Sequence, residues 1–252
     1  MQLENIEEIE DNLLEEDEHI INMWTPFDIE IDEDYNFINN GIIFNIFSKL
    51  LYIIALPLLC IYNKFMYNFK IYGKENLKKI KTGKITVSNH VHPMDCTMNA
   101  IANAPFSMYF PTLKSNFEIP VIRHIIRLLH ALPIPDGISG KEKLFDAINE
   151  LLENNKTLHF YPEASLWPYY KKLRNFKNGA FKVAVEKNVP IVPMVYKFVK
   201  PYGIRKYIKK RPFIELHILP AIYPDNNIAN KNQSASKLKN EVFLKMESEL
   251  KC

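Results

Sequence analysis

From residue 69 onward, short runs of β-branched and aromatic residues alternate with longer amphipathic stretches, and this alternation constrains the fold more than any other feature. The runs 69–72, 84–88, 107–110, 157–161, 190–195 and 213–219 read as strands. The stretches 94–103, 120–131, 140–153, 177–187 and 234–250 read as helices. The alternation predicts an α/β fold with a mixed, largely parallel sheet flanked by helices. An apolar fraction of 47% is ample for its core. Gly179 falls near a helix start, where it permits close backbone approach. Residues 224–233 read as a polar linker to the last helix.

Upstream, Gly41 to Tyr62 is almost wholly apolar, close to the roughly 20 residues that cross a bilayer. Asn45, Ser48 and Lys49 interrupt it, and Pro57 is placed to kink it. The pattern predicts an N-terminal membrane-associated helical segment over 41–68, either spanning the bilayer or lying in its interface. Lys64, Lys70, Lys74, Lys78 and Lys79 follow it, whereas acidic residues precede it, so a span would leave the following domain on the cytoplasmic face. The first 34 residues carry 14 of the 29 acidic side chains and none of the 32 Lys and Arg. They read as an acidic arm within 1–40, with a helical pattern around Ile6 to Ile21 and without the basic start of a secretory signal. The rest of the chain carries a net charge of +17. Three widely separated cysteines, Cys60, Cys96 and Cys252, argue against a disulfide framework and for a reducing compartment.

The chemistry concentrates at Ser88-Asn89-His90-Val91-His92-Pro93-Met94-Asp95. Ile85-Thr86-Val87 reads as the end of a strand; Pro93 suits the first helical position and Asp95 the first turn, where a carboxylate is favoured. His90 then sits in the loop at the end of the strand and Asp95 just inside the next helix, which brings the two close together. A carboxylate there bonds one ring nitrogen and leaves the other free as a base. His92 is a rival base three residues from Asp95, and Cys96 reads as a packing residue.

Three further segments follow in order: Thr112-Leu113-Lys114-Ser115-Asn116-Phe117-Glu118-Ile119-Pro120, then Phe160-Tyr161-Pro162-Glu163-Ala164-Ser165-Leu166-Trp167 leading into Arg174-Asn175-Phe176-Lys177-Asn178-Gly179-Ala180-Phe181, then Val189-Pro190-Ile191-Val192-Pro193-Met194. With Asn89-His90-x-x-x-x-Asp95 they resemble the four ordered blocks of the glycerophospholipid acyltransferase family, whose best-known members are the 1-acyl-glycerol-3-phosphate acyltransferases. The resemblance covers about residues 70–222 and identifies 69–252 as the acyltransferase domain. It implies His90 as general base on an acceptor hydroxyl, oriented by Asp95, with no metal or redox cofactor. It implies an acyl-coenzyme A or acyl carrier protein donor and a lysophospholipid acceptor. Lys114, Glu163, Ser165, Arg174 and Lys177 become candidates for binding substrate. The third block of the family reads Pro-Glu-Gly-Thr-Arg; here Leu166 stands at the arginine, and a leucine cannot bind an anion. Arg174, eight residues on, is a candidate replacement; otherwise the acceptor lacks a phosphate monoester.

Two other classes fit parts of the pattern. His90-x-His92 with Asp95 is a loose metallohydrolase cluster without a second set of ligands. A non-catalytic membrane-binding relative would explain Leu166. Residues 119–132 set Arg123, Arg127 and His130 on one helical face, and residues 197–211 cluster seven basic side chains with Tyr202 and Tyr207. The second cluster suits anionic lipid headgroups or an acidic carrier protein. No recognition motif accompanies it for nucleic acid.

Overall fold

A computed structural model describes residue 31, residues 35–207 and residues 211–252. The helical pattern around Ile6 to Ile21, and Lys209 and Lys210 of the basic cluster, lie outside the described residues. The elements run α1 (Ile42–Tyr67), β1 (Lys70–Tyr72), α2 (Lys74–Lys78), β2 (Lys84–Ser88), α3 (Asp95–Asn103) and β3 (Met108–Leu113). After a 3₁₀ turn at Lys114–Phe117 come α4 (Ile122–Leu128), β4 (Ala131–Ile134), α5 (Ile138–Glu153), β5 (Thr157–Phe160), α6 (Gly179–Lys187) and β6 (Ile191–Val199). A second 3₁₀ turn at Gly203–Tyr207 is followed by β7 (Phe213–Ile218) and α7 (Lys231–Lys251).

The strands form one sheet in the order β1-β7-β6-β2-β5-β3-β4. Every neighbouring pair is parallel except β6 with β7. The sheet is therefore mixed and largely parallel, as the alternation predicts. β2 lies at its centre, between β5 and β6, and is buried along its whole length. Strand side chains alternate between faces. One face of β2 thus carries Ile85 and Val87 into a core with Leu144, Ile148 and Leu151 of α5, Phe181 of α6 and Val242 of α7. Its other face carries Thr86 and Ser88, which are equally buried but polar. On that side α1 and α3 bring Tyr67, Met98 and Ile101 against Val192, Met194 and Tyr196 of β6.

α1 inverts the usual pattern of a docked helix. Its buried residues are Ser48, Asn63 and Tyr67, while Ile42, Ile46, Ile53, Leu58, Ile61 and Phe65 are exposed. Ser48 Oγ donates to the Leu128 carbonyl at 2.7 Å, Tyr52 to that of Leu129 at 3.2 Å, and Asn63 Nδ2 to Thr97 Oγ1 at 3.4 Å. Polar residues within the apolar run are thus the ones that fasten it to the domain. The helix is long and apolar enough to cross a membrane, with a mean hydropathy of 2.1 in its most apolar window, and its apolar flank is consistent with membrane association.

Several sequence expectations shift. The helix expected over 120–131 is confined to α4, because Val121 and His130 both adopt left-handed backbone (φ 66° and 65°) and close it at each end. Residues 131–134 are instead a parallel edge strand, and His130 turns away from Arg123 and Arg127 to contact Ser48 at 3.2 Å. The last helix starts at Lys231, where Asn230 accepts from the amides of Asn232 and Gln233, shortening the expected linker. Pro93 precedes α3 rather than opening it.

Close approach falls at a different glycine from the one expected. A Cβ at Gly179 would meet nothing within 4 Å, whereas one at Gly83 would lie 2.1 Å from the Leu152 carbonyl oxygen. Backbone cannot yield to that contact as a flexible side chain can. Gly83→Ala is expected to lower stability by about 2 kcal/mol or more, and Gly179→Ala to change it by less than about 0.5 kcal/mol. Thermal unfolding of the two variants beside the parent checks this; equal melting temperatures would sink it.

Candidate active site

The site forms where β2 and β5 end side by side, the edge of an α/β sheet at which ligands bind. Asp95 opens α3, so its carboxylate stands at a helix N-terminus. Its Oδ2 lies 2.7 Å from His90 Nδ1, with the carboxylate fully buried and the imidazole 17% exposed. An ionised carboxylate only accepts, so Nδ1 carries the proton and Nε2 keeps its lone pair. The pair has the arrangement of an oriented general base.

Beneath it runs a directed chain of buried hydrogen bonds. Asp95 Oδ1 accepts from the Tyr161 hydroxyl at 2.9 Å, and Tyr161 Oη accepts from Asn99 Nδ2 at 3.1 Å. Asn99 Nδ2 also donates to His159 Nε2 at 2.9 Å, which leaves the His159 proton on Nδ1, facing Thr86 Oγ1 at 2.8 Å. Thr86 donates its own proton to the Leu158 carbonyl at 3.2 Å. From the other side the Tyr196 hydroxyl reaches Asn99 Oδ1 at 2.7 Å and the Asp95 carbonyl at 3.0 Å. The register that pairs Thr86 with His159 puts both on the polar face of the sheet under α3. Burial drives the His159 value down to about 3, so this histidine is neutral and structural.

Tyr161 is the residue that motif reading misses. Its ring stacks on the His90 imidazole, centroids 3.9 Å apart and 18° from parallel, while its hydroxyl holds Asp95. The only signal in the sequence is an aromatic residue just before Pro162-Glu163 at the end of a strand. Cys96 is not a packing residue: it is exposed, with Sγ 3.2 Å from the Tyr161 hydroxyl. His92 is buried, its Nδ1 accepts from the Met94 amide at 3.1 Å, and its ring packs edge-on against Tyr67 and Tyr169. Among the described residues no three His, Cys, Asp or Glu side chains are placed to hold a metal ion.

The loop after β5 closes the other side. Glu163, fully buried, accepts from the His90 amide at 3.3 Å and the Arg174 amide at 3.2 Å, and pairs with Arg174 Nη2 at 3.4 Å. Burial pushes its carboxyl upward, and Arg174 and the two amides oppose that. Arg174 Nη1 donates to Ser165 Oγ at 2.7 Å and Nη2 to the Ser165 carbonyl, and the guanidinium lies 4.6 Å from the Trp167 ring centroid. Trp167 and Tyr169 amides donate to the carbonyls of His90 and Val91 at 3.0 and 2.8 Å. Ala164 holds left-handed backbone (φ 65°), so the turn suited to glycine is kept with an alanine, at a cost of roughly 1 kcal/mol. His90, Asp95, Glu163, Ser165 and Arg174 are thereby joined in one constellation. Lys177 is exposed, its amide bonded to the Pro162 carbonyl at 2.7 Å. Lys114, beyond β3, pairs with Asp136 at 3.2 Å.

A His–Asp pair at the strand ends of a largely parallel α/β sheet is chemically able to take a proton from a bound hydroxyl. The acyltransferase family profile matches residues 68–197, more than half of the sequence, and the chain belongs to that family. It is 25% identical over 179 residues to a 1-acyl-sn-glycerol-3-phosphate acyltransferase of Limnanthes douglasii, covering 70% of this chain and 62% of that one. It is 30% identical over 130 residues to a chloroplastic enzyme of the same description from Arabidopsis thaliana, covering 51% and 35%. The matched region therefore spans less than two thirds of these relatives. The crystal structure of a 1-acyl-sn-glycerophosphate acyltransferase from Thermotoga maritima shares the fold, with a TM-score of 0.54 at 21% identity over 83% of this chain and 78% of that one.

Two histidines, His159 fully buried and His130 partly buried, make stability pH-dependent. Burial lowers His159 to about 3 and His130 to about 4. The unfolded chain binds these protons near pH 6.5 and the folded one does not, so stability is present above pH 6.5 and is lost as pH falls toward the folded values. By pH 5 each histidine is expected to remove on the order of 2 kcal/mol. Melting curves at pH 7 and pH 5 test this, with His130→Gln expected to show the smaller fall. No fall in the parent would contradict burial of a neutral His159.

Proposed function

We propose that the chain transfers a fatty acyl group from an acyl thioester to the free hydroxyl of a lysophospholipid, with 1-acyl-glycerol-3-phosphate as acceptor and phosphatidic acid as product. The observation that carries this reading is the 2.7 Å bond from His90 Nδ1 to Asp95 Oδ2, at the sheet edge of a family member. His90 Nε2 removes the acceptor hydroxyl proton as the oxygen attacks the thioester carbonyl. The tetrahedral intermediate collapses, the carbon–sulfur bond breaks, and the departing thiolate takes the proton from the imidazolium to leave as a thiol. Asp95 stabilises the imidazolium between these steps and Tyr161 fixes Asp95. Glu163 and Arg174 position the His90 loop. The donor is an acyl-coenzyme A or an acyl carrier protein. A lysolipid without a phosphate monoester is the second acceptor, favoured by Leu166.

The same reading seats the domain on a membrane, on its cytoplasmic face. The residues that fasten α1, Ser48 to Tyr67, span roughly 28 Å at 1.5 Å per residue. The domain therefore lies along the helix instead of at one end, which supports a helix lying in the interface with its apolar flank in lipid. A formal charge of +17 beyond residue 34 favours an anionic leaflet.

His90→Ala is expected to lower transfer by about 10³-fold or more, and Tyr161→Phe to lower kcat by roughly tenfold with KM unchanged, since one bond to a charged group is lost. The check is acyl transfer to lysophosphatidic acid and to phosphate-free lysolipids by detergent-solubilised protein. Transfer that survives His90→Ala would overturn the assignment. A separate expectation concerns the helix: Ile46→Glu with Ile53→Glu should reduce co-sedimentation with anionic vesicles by about tenfold or more. Unchanged sedimentation would show that this flank does not meet lipid.

A further inference from the structure

Leu166 leaves the third motif without its cation, and Arg174 does not restore an open one. Its side chain is only 8% exposed, Nη1 and Nη2 are engaged by Ser165 and Glu163, and its face is covered by Trp167. Two other cations stand nearby, one further along the same loop and one at the end of β6. A pocket of about 280 Å³ opens between them, lined by Tyr169, Lys171, Phe198, Lys200, Pro201 and Pro212. Among the described residues neither Lys171 nor Lys200 makes an ion pair or hydrogen bond, whereas Lys114 is held by Asp136 and Lys197 by Glu249. The pocket is built into the catalytic loop. Tyr169, left-handed at φ 62°, donates its amide to Val91, one residue from His90, and its ring meets His92 at 5.5 Å. Its ring also meets Phe198 at 5.2 Å, so the wall is aromatic. The loop is short of acceptors as well: Trp167 Nε1 and Arg174 Nε are buried donors with no partner.

We propose that this pocket seats a phosphate ester of a substrate, held by Lys171 and Lys200 and packed against Tyr169 and Phe198. Two flexible ammonium groups converge on an anion, and aromatic rings accept an attached planar or apolar group. The inference rests on the acyltransferase reading for its substrates, and two sources share the chemistry. The pocket is larger than one phosphate requires and its wall is aromatic, which favours the nucleotide end of a coenzyme A donor; the acceptor's phosphate is the other source.

The experiment compares the detergent-solubilised full chain with Lys171→Ala/Lys200→Ala. Direct binding is read by calorimetry with adenosine 3′,5′-bisphosphate and with glycerol 3-phosphate. The double variant should weaken one of them by about tenfold, the loss expected for a charge-assisted contact. Kinetics then assign the source. A tenfold rise in KM for acyl-coenzyme A, absent with the truncated acyl-pantetheine, marks the donor. A rise in KM for lysophosphatidic acid alone marks the acceptor. Binding of neither probe, or equal binding by parent and variant, overturns the pocket even if transfer is normal. Binding lost in the variant without His90-dependent transfer supports the pocket and overturns the acyltransferase reading instead.

Discussion

A carboxylate with no exposure to water controls this structure. Asp95 is at the N-terminus of α3, at the sheet edge, and under the imidazole it serves. Removing a carboxylate from water costs several kcal/mol unless partners replace the lost hydration. His90, Tyr161 and the helix N-terminus supply that replacement. The polar residues on the α3 side of the sheet follow from this need. Tyr161 must be held by Asn99, Asn99 by Tyr196 and His159, and His159 by Thr86. A partly satisfied buried network is worse than none, so these residues stand or fall together.

Parallel strands explain why that network and the base lie at the same place. β2 and β5 are neighbours and point the same way, so the loops after both emerge on one edge. β2 brings His90 there and β5 brings Glu163. The second loop is then tied to the first through main-chain bonds, from Trp167 to His90 and from Tyr169 to Val91. Glu163 adds a buried carboxylate against the His90 amide. The geometry of the His90 loop is thus held by several main-chain contacts at once. Ala164 and Tyr169, both left-handed, show what the loop accepts to keep them.

Periodicity makes the sheet legible because buried strands differ sharply from amphipathic helices. β1, β2, β5, β6 and β7 fall within a few residues of their expected places. β4 escapes such a reading because Pro133 argues against a strand and because residues 120–131 carry a helical pattern that two left-handed residues cut short. The His90–Asp95 pair is legible as a spacing on a strand-loop-helix junction. Its support is not, because Tyr161, Asn99 and His159 acquire meaning only when register sets them face to face. α1 is only half legible for the same reason. Asn45, Ser48 and Lys49 look like flaws in a span, yet Ser48 is a docking residue whose partner lies 80 positions away.

A leucine at the family's arginine position and a buried Arg174 are consistent with each other. A guanidinium that faces substrate is free to recognise a phosphate bidentately, but it cannot also brace a loop. Here the guanidinium lies inside, across Glu163 and Ser165, and gives the His90 loop rigidity. Leu166, at the position where the family motif has arginine, carries no charge. In the proposed reading a substrate anion is met by cations outside this brace. Lys171 and Lys200, beside Tyr169 and Phe198, are where the same edge of the site offers them. In the proposed reading the group that stiffens the site is separate from the groups that bind charge, so acceptor preference can change without disturbing the proposed base, since neither lysine touches the hydrogen-bond chain that ends at His90.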